Sequence, residues 1–258
     1  MKIKTKLITL SASAALLALS LPAQAAFSWT FDSSPTNTGT PSGTAITATA
    51  SAWATSTNNI TSGLESANLR QYSGLGVEPV GQNEGSPQHA VDAQGRKESV
   101  LFSFNQSIAL TKVYMSWVGG KYLGNGNYAN PDADFSLLRY TGSGGPSLTG
   151  KSYTDLLSNG WEMVGTSNYS NGYTDGSGRT ANVNSGMLSS SHWLVAAANT
   201  ALGWSDGWTG NDYFKLNKIY GKAGTPPPPT GVPSPSTLPL LAISLIGLGL
   251  ASRRRKQA

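Results

Sequence analysis

The chain has 258 residues, 30 of them glycine and none cysteine, with 12% charged residues and a formal charge of +5. The lack of thiols excludes disulfide staples, cysteine nucleophiles and thiolate metal sites, so any folded part must be held by packing. The basic balance does not indicate a polyanion partner. Lys2, Lys4, Lys6, Arg253, Arg254, Arg255 and Lys256 sit at the two ends, and the part between holds 11 basic against 13 acidic residues, a net −2. No nucleic-acid partner is expected.

At the amino end, Lys2, Lys4 and Lys6 precede an apolar run over residues 7–21, followed by Ala23-Gln24-Ala25. A basic start, a short apolar core and a small-x-small motif predict a secretory signal peptide over residues 1–25. It would be handed to the Sec translocon and cut between Ala25 and Ala26. No cysteine follows the motif, so a lipoprotein anchor is not expected.

Residues 26–224, roughly 200 in all, suffice for one domain with its own core. All seven tryptophans, ten tyrosines and six phenylalanines fall here, on a background of Gly, Ser, Thr and Asn. Such a composition predicts strands joined by many turns rather than helices. Residues 46–50 with Trp53 read as a weak strand. Residues 74–96, punctuated by Pro79, Gly81, Gly85, Pro87 and Gly95, read as a long loop. Alternation then predicts strands over residues 99–104 and 112–117, the second placing Val113, Met115 and Trp117 on one face. Further strands are predicted over residues 134–140, 161–164, 192–198 and 213–220, with a helical turn or two over 153–157. The expected architecture is all-β, a single jelly-roll-like β-sandwich.

Candidate chemistry is sparse. No His-Glu-x-x-His zinc motif and no Gly-x-Ser-x-Gly elbow occurs, and His89 and His192 are the two histidines. A pair of distant carboxylates brought together by the fold stays open, as in glycosidases. The loop containing Asn125, Asn127, Asp132 and Asp134 offers oxygen ligands at alternating positions, the hard donors that calcium takes. The same residue types are what turns demand, and no other cofactor is expected. Trp204, Asp206 and Trp208 form a second group, in which rings stack on sugars and a carboxylate bonds their hydroxyls. The alternative is that these tryptophans fill the core.

After the domain, residues 225–237 form a linker in which Pro226, Pro227, Pro228 and Pro229 impose an extended polyproline conformation. The chain then reads Val232-Pro233-Ser234-Pro235-Ser236-Thr237, an apolar run, and Arg253-Arg254-Arg255-Lys256. Residues 238–252 are 15 without a charge, against roughly 20 for a full helical span, so residues 238–258 predict a short transmembrane helix with a cytoplasmic basic stop. This three-part tail resembles the PEP-CTERM sorting signal of Gram-negative, biofilm-forming bacteria, with Ser234 standing where that family usually has glutamate. The resemblance implies recognition and cleavage near Val232, Pro233, Ser234 and Pro235 by a membrane-embedded exosortase, and release to the cell surface or extracellular matrix.

These readings converge on a non-enzymatic exported surface protein that contacts exopolysaccharide, with a secreted carbohydrate-active hydrolase carrying the same tail as the alternative. One outcome follows from the amino end alone. N-terminal sequencing of the exported protein should begin at Ala26 or within one residue of it, and an exported chain that retains Met1 contradicts the signal peptide.

Overall fold

The computed structural model describes residues 26–32, 38–43, 45–82, 89–119, 121–124, 127–129, 133–167, 178–204 and 212–223. The expected signal peptide, linker and transmembrane tail lie outside these residues. The elements run β1 (Ala26–Thr30), β2 (Thr38–Ser42), β3 (Ala48–Thr55), β4 (Leu64–Gln71), β5 (Leu75–Glu78), β6 (Val91–Asp92), β7 (Glu98–Gly119), β8 (Lys121–Gly124), β9 (Asn127–Ala129) and β10 (Phe135–Tyr140). There follow α1 (Tyr153–Ser158), β11 (Trp161–Ser167), β12 (Arg179–Asn182), β13 (Ser190–Ala197), a 3-10 turn (Thr200–Leu202) and β14 (Tyr213–Ala223). The chain is all-β as its composition predicts, with α1 where residues 153–157 read as helical.

All the strands except the β8–β9 hairpin belong to one 12-stranded sheet, curled like a barrel. Its spine is β7, which has 22 residues. At about 3.3 Å per residue an extended strand of that length would run about 73 Å. A domain of roughly 200 residues has a radius of gyration of only about 16 Å, so the strand has to bend. It does so at Asn105, Gln106 and Ser107, which are exposed, and the Asn105 side chain pins the corner by accepting from the Thr47 N–H at 3.0 Å. Before the corner β7 pairs with β3 and most of β13; beyond it, with β14, β12 and, at Ile108, Ser190 of β13. The sequence suggests two strands here because the polar corner interrupts the alternation. This one strand belongs to both walls of the 12-stranded sheet.

The curl closes through the two ends of the domain. Strand β1 pairs with β14 from Ala26↔Lys222 to Thr30↔Lys218, and also with β2. Because β2 pairs with β3, β3 with β7 and β7 with β14, these five strands form a closed ring.

Period-two alternation fills the interior. Ala48, Ala50, Ala52 and Ala54 point inward from β3 beside Phe104, Phe102 and Val100 of β7, small residues making room for rings on the paired strand. Trp29, Phe135, Trp193, Val195 and Phe214 join the same cluster. The opposite face of β7, β10 and β13 is buried as well: Leu101, Leu138, Leu194 and Ala196 pack with Tyr153 and Leu156 of α1, Leu148, Trp161 and Leu202. Helix α1 is only six residues long, but Ser152 caps it. The Asp155 N–H donates to Ser152 Oγ at 3.2 Å while the Ser152 N–H donates to Asp155 Oδ2 at 2.9 Å, a reciprocal capping box. The predicted long loop is partly a misreading: Leu75 and Val77 are fully buried in β5, and Val91 in β6. Glycines and prolines around them conceal two short strands.

Trp193 tests this packing. It is fully buried, and its Nε1 donates to Ser190 O at 3.1 Å and Ile108 O at 3.3 Å. Trp193→Ala should cost about 3–5 kcal/mol in urea unfolding, whereas Leu157→Ala, at a side chain 42% exposed, should stay within about 0.5 kcal/mol. Equal losses would contradict the assignment of the core.

Candidate functional site

The turn from β4 into β5 carries Tyr72, whose side chain is 69% exposed. The turn is tight: the Tyr72 N–H donates to Gly74 O at 2.9 Å, Ser73 has φ 59°, and Gly74 has φ 145°. A Cβ at Gly74 would lie 2.5 Å from Ser116 Oγ and 3.1 Å from Lys215 Cβ, so glycine lets the turn press onto β7 and β14. Ser116 Oγ donates to Ser73 O and fastens it there.

That placement sets Tyr72 over Lys215. On the sheet Lys215 of β14 pairs with Trp117 of β7, and the Trp117 ring folds back over Gly119, where a Cβ would lie 2.0 Å from the indole. The Lys215 Nζ sits 5.4 Å from the Tyr72 ring centroid and 5.6 Å from that of Trp117, within cation–π range of both. Lys215 is half-buried, and burial pulls its pKa down. No carboxylate among the described residues lies within ion-pair distance of it. Arg70, Arg96 and Arg139 are different, each resting on a glutamate: Glu78, Glu65 and Glu162 respectively.

His89 extends the face. Its φ is 57°, and its carbonyl presses on the backbone of Gly76, where a Cβ would lie 1.4 Å from it. The ring centroid is 6.5 Å from that of Tyr72, and Nδ1 is 3.9 Å from Glu78 Oε1. Glu78 is 8% exposed and already accepts from Arg70 Nε at 2.6 Å. The face therefore presents two lasting cations, Arg70 and Lys215, around a carboxylate that is sunk and engaged. Sequence reasoning missed it: the alternation of Phe214, Lys215 and Leu216 marks Lys215 as outward-facing, but nothing local places Tyr72 beside it.

The sites singled out from sequence fare differently. Trp204 is half-buried, packs on the second core cluster and donates its Nε1–H to Ser136 Oγ at 2.8 Å, a packing role. Asp206 and Trp208 lie outside the described residues, as do Asn125 and Asp132. Asn127 falls in β9. Asp134 is buried, and its N–H donates to Asp212 Oδ1 at 2.7 Å. The two loops read separately from sequence thus meet where they rejoin the sheet. A second close acid pair, Asp92 and Glu98, is joined by the Asp92 N–H donating to Glu98 Oε2 at 3.0 Å, and both residues are buried. Among the described residues, no three His, Asp or Glu side chains gather as a metal site. Ala26, on the far side of the expected cleavage, is the first residue of β1. Ala23, Ala25, the sorting motif and the basic stop lie outside the described residues. No protein-family model matches the chain, and no curated protein matches it.

The two imidazoles make a pH prediction. Burial holds His89 below the ordinary 6.5, with Glu78 opposing and Arg70 and Lys215 adding to the effect; burial alone lowers His192. A base with a lowered folded pKa takes its proton more readily when unfolded. Its contribution is therefore complete above 6.5 and is lost as the pH falls below that value. The melting temperature should be level from about pH 8 to 7 and decline from about pH 6.5 to 5. His89→Asn with His192→Gln should flatten the decline, asparagine being chosen because it tolerates a positive φ. A wild-type melting temperature level down to about pH 5 contradicts the prediction.

Proposed function

We propose that this chain is a non-enzymatic secreted surface or extracellular-matrix protein of a Gram-negative bacterium. It would be exported through the Sec translocon, anchored transiently by a C-terminal helix, and processed by an exosortase, with an ectodomain that contacts exopolysaccharide. The observation that carries the reading is the order of the C-terminal segments: Val232-Pro233-Ser234-Pro235, an uncharged run of 15 residues, and Arg253-Arg254-Arg255-Lys256. The uncharged run is short for a lasting anchor.

The pairing of the first and last described strands supports this: β1 (Ala26–Thr30) lies against β14 (Tyr213–Ala223), so residues between the two expected trafficking segments form one sheet. We read this curled sheet as a flattened, jelly-roll-like sandwich, because inward residues from both halves of β7 meet in one core. An exposed tyrosine and a half-buried tryptophan bracketing a lysine suit saccharide contact, since a pyranose ring offers apolar C–H faces to a π-system beside polar hydroxyls. A secreted carbohydrate-active hydrolase needs two carboxylates that reach a glycosidic bond. Among the described residues, Asp134 with Asp212 and Asp92 with Glu98 lie close together and are sealed from solvent, which favours the binding reading. Calcium in the loop with Asn125, Asn127, Asp132 and Asp134 stays secondary, because Asp134 is turned into the protein.

Intact-mass measurement tests the sorting claim. In exosortase-competent cells the surface form should lack Arg253, Arg254, Arg255 and Lys256. Deleting the exosortase, or substituting Pro233→Ala with Pro235→Ala, should leave a larger, membrane-bound species. Surface protein that retains the arginine cluster in competent cells makes the tail a plain anchor and overturns the proposal.

A further inference from the structure

We propose that the face formed by Tyr72, Trp117 and Lys215 binds an acidic saccharide, placing a sugar carboxylate at the Lys215 ammonium and the sugar ring against Tyr72. The inference rests on reading the ectodomain as a saccharide-contacting module and goes further by assigning both the site and the charge of its ligand. It begins with Lys215, a half-buried ammonium whose neighbours at 5.4 Å and 5.6 Å are aromatic faces rather than acids. Ring quadrupoles hold a cation in place without neutralising it. A partly desolvated charge is stabilised by an opposite charge, and among the described residues the nearby carboxylate, Glu78, is sunk and already engaged by Arg70, which leaves Lys215 open to an anionic ligand.

The rest of the face selects the kind of anion. Tyr72 is 69% exposed, so its ring has a free surface beside the ammonium. A flat apolar platform adjoining a cation fits a molecule that carries its carboxylate on a ring with C–H faces, as a uronic acid does, better than a small hydrated anion. The platform is also preorganised: Gly74 admits the turn, Ser116 fastens it, and Ser73 and His89 hold left-handed backbone conformations on either side. Strained backbone held in place by surrounding packing is typical of binding surfaces. Charge complements the geometry, because Arg70 and Lys215 flank this face although the interval between the trafficking segments carries a net −2.

Calorimetric titration of the exported protein with a hexamer of galacturonate, and separately with maltohexaose and citrate, tests the proposal. The uronate should bind at least about tenfold more tightly than either comparison ligand, and binding should weaken with added salt. Tyr72→Ala and Lys215→Met should each weaken it about tenfold or more. Lys215→Arg should retain most of it, since a guanidinium keeps both the charge and the stacking. Lys151→Met, which removes a charge beside α1, should change nothing. Melting curves confirm that the variants fold, and Tyr72→Ala, at an exposed ring, guards against loss by misfolding. If maltohexaose binds as tightly as the uronate, the acidic assignment fails while saccharide contact stands. Binding of neither saccharide overturns both. Citrate binding as tightly as the uronate, or an equal loss in Lys151→Met, makes the effect unspecific charge attraction and overturns the proposal.

Discussion

Pairing of the last strand, β14, is the interaction on which the rest of the sheet depends. Over residues 213–223 it lies beside the second half of β7, and it also pairs with β1, β5 and β6. Four strands made earlier in the chain therefore lack a complete partner until residues near 220 are available. Contacts so distant in sequence have a large loop-closure cost before they give anything back, which slows their formation. Strand β1 can close on β14 only after residues 213–223 have been made.

Much of this fold is legible in the sequence, and the misses have physical causes. Short apolar runs bounded by polar turn residues announce β10, β13 and β14. In β7 the alternation breaks at Asn105, Gln106 and Ser107, so one bent strand reads as two. That single break hides the connection between the walls of the sheet. Leu137 and Leu138 are neighbours that face different clusters, because successive residues of β10 point to opposite sides of a sheet covered on both. Burial on both faces replaces alternation with a continuous apolar run, which local pattern does not distinguish from a buried helix segment. Short strands such as β5, framed by Gly74 and Pro79, resemble loops until the burial of Leu75 and Val77 is known.

The same distinction governs the candidate surface. Trp204, whose surroundings in the sequence fit either a sugar platform or the core, packs on the second cluster with its indole N–H donated to Ser136 Oγ. Tyr72, with no motif around it, stands exposed over a lysine because a glycine two residues on lets the turn lie flat. Sequence supplies the chemistry of side chains; pairing register and backbone handedness decide which of them meet. Arg70, Arg96 and Arg139 rest on glutamates, whereas Lys215 sits against two aromatic rings.

Hydrogen exchange of the protein, followed amide by amide, tests the central claim that closure of β1 on β14 completes one cooperative unit. Amides of residues 27–29 and 219–221 that point into the β1–β14 ladder should exchange in the slowest class, together with residues 100–104 of β7, through global unfolding. Fast exchange of β1 while β7 remains protected would show that the ring does not close as described, and that the domain is held without its two ends.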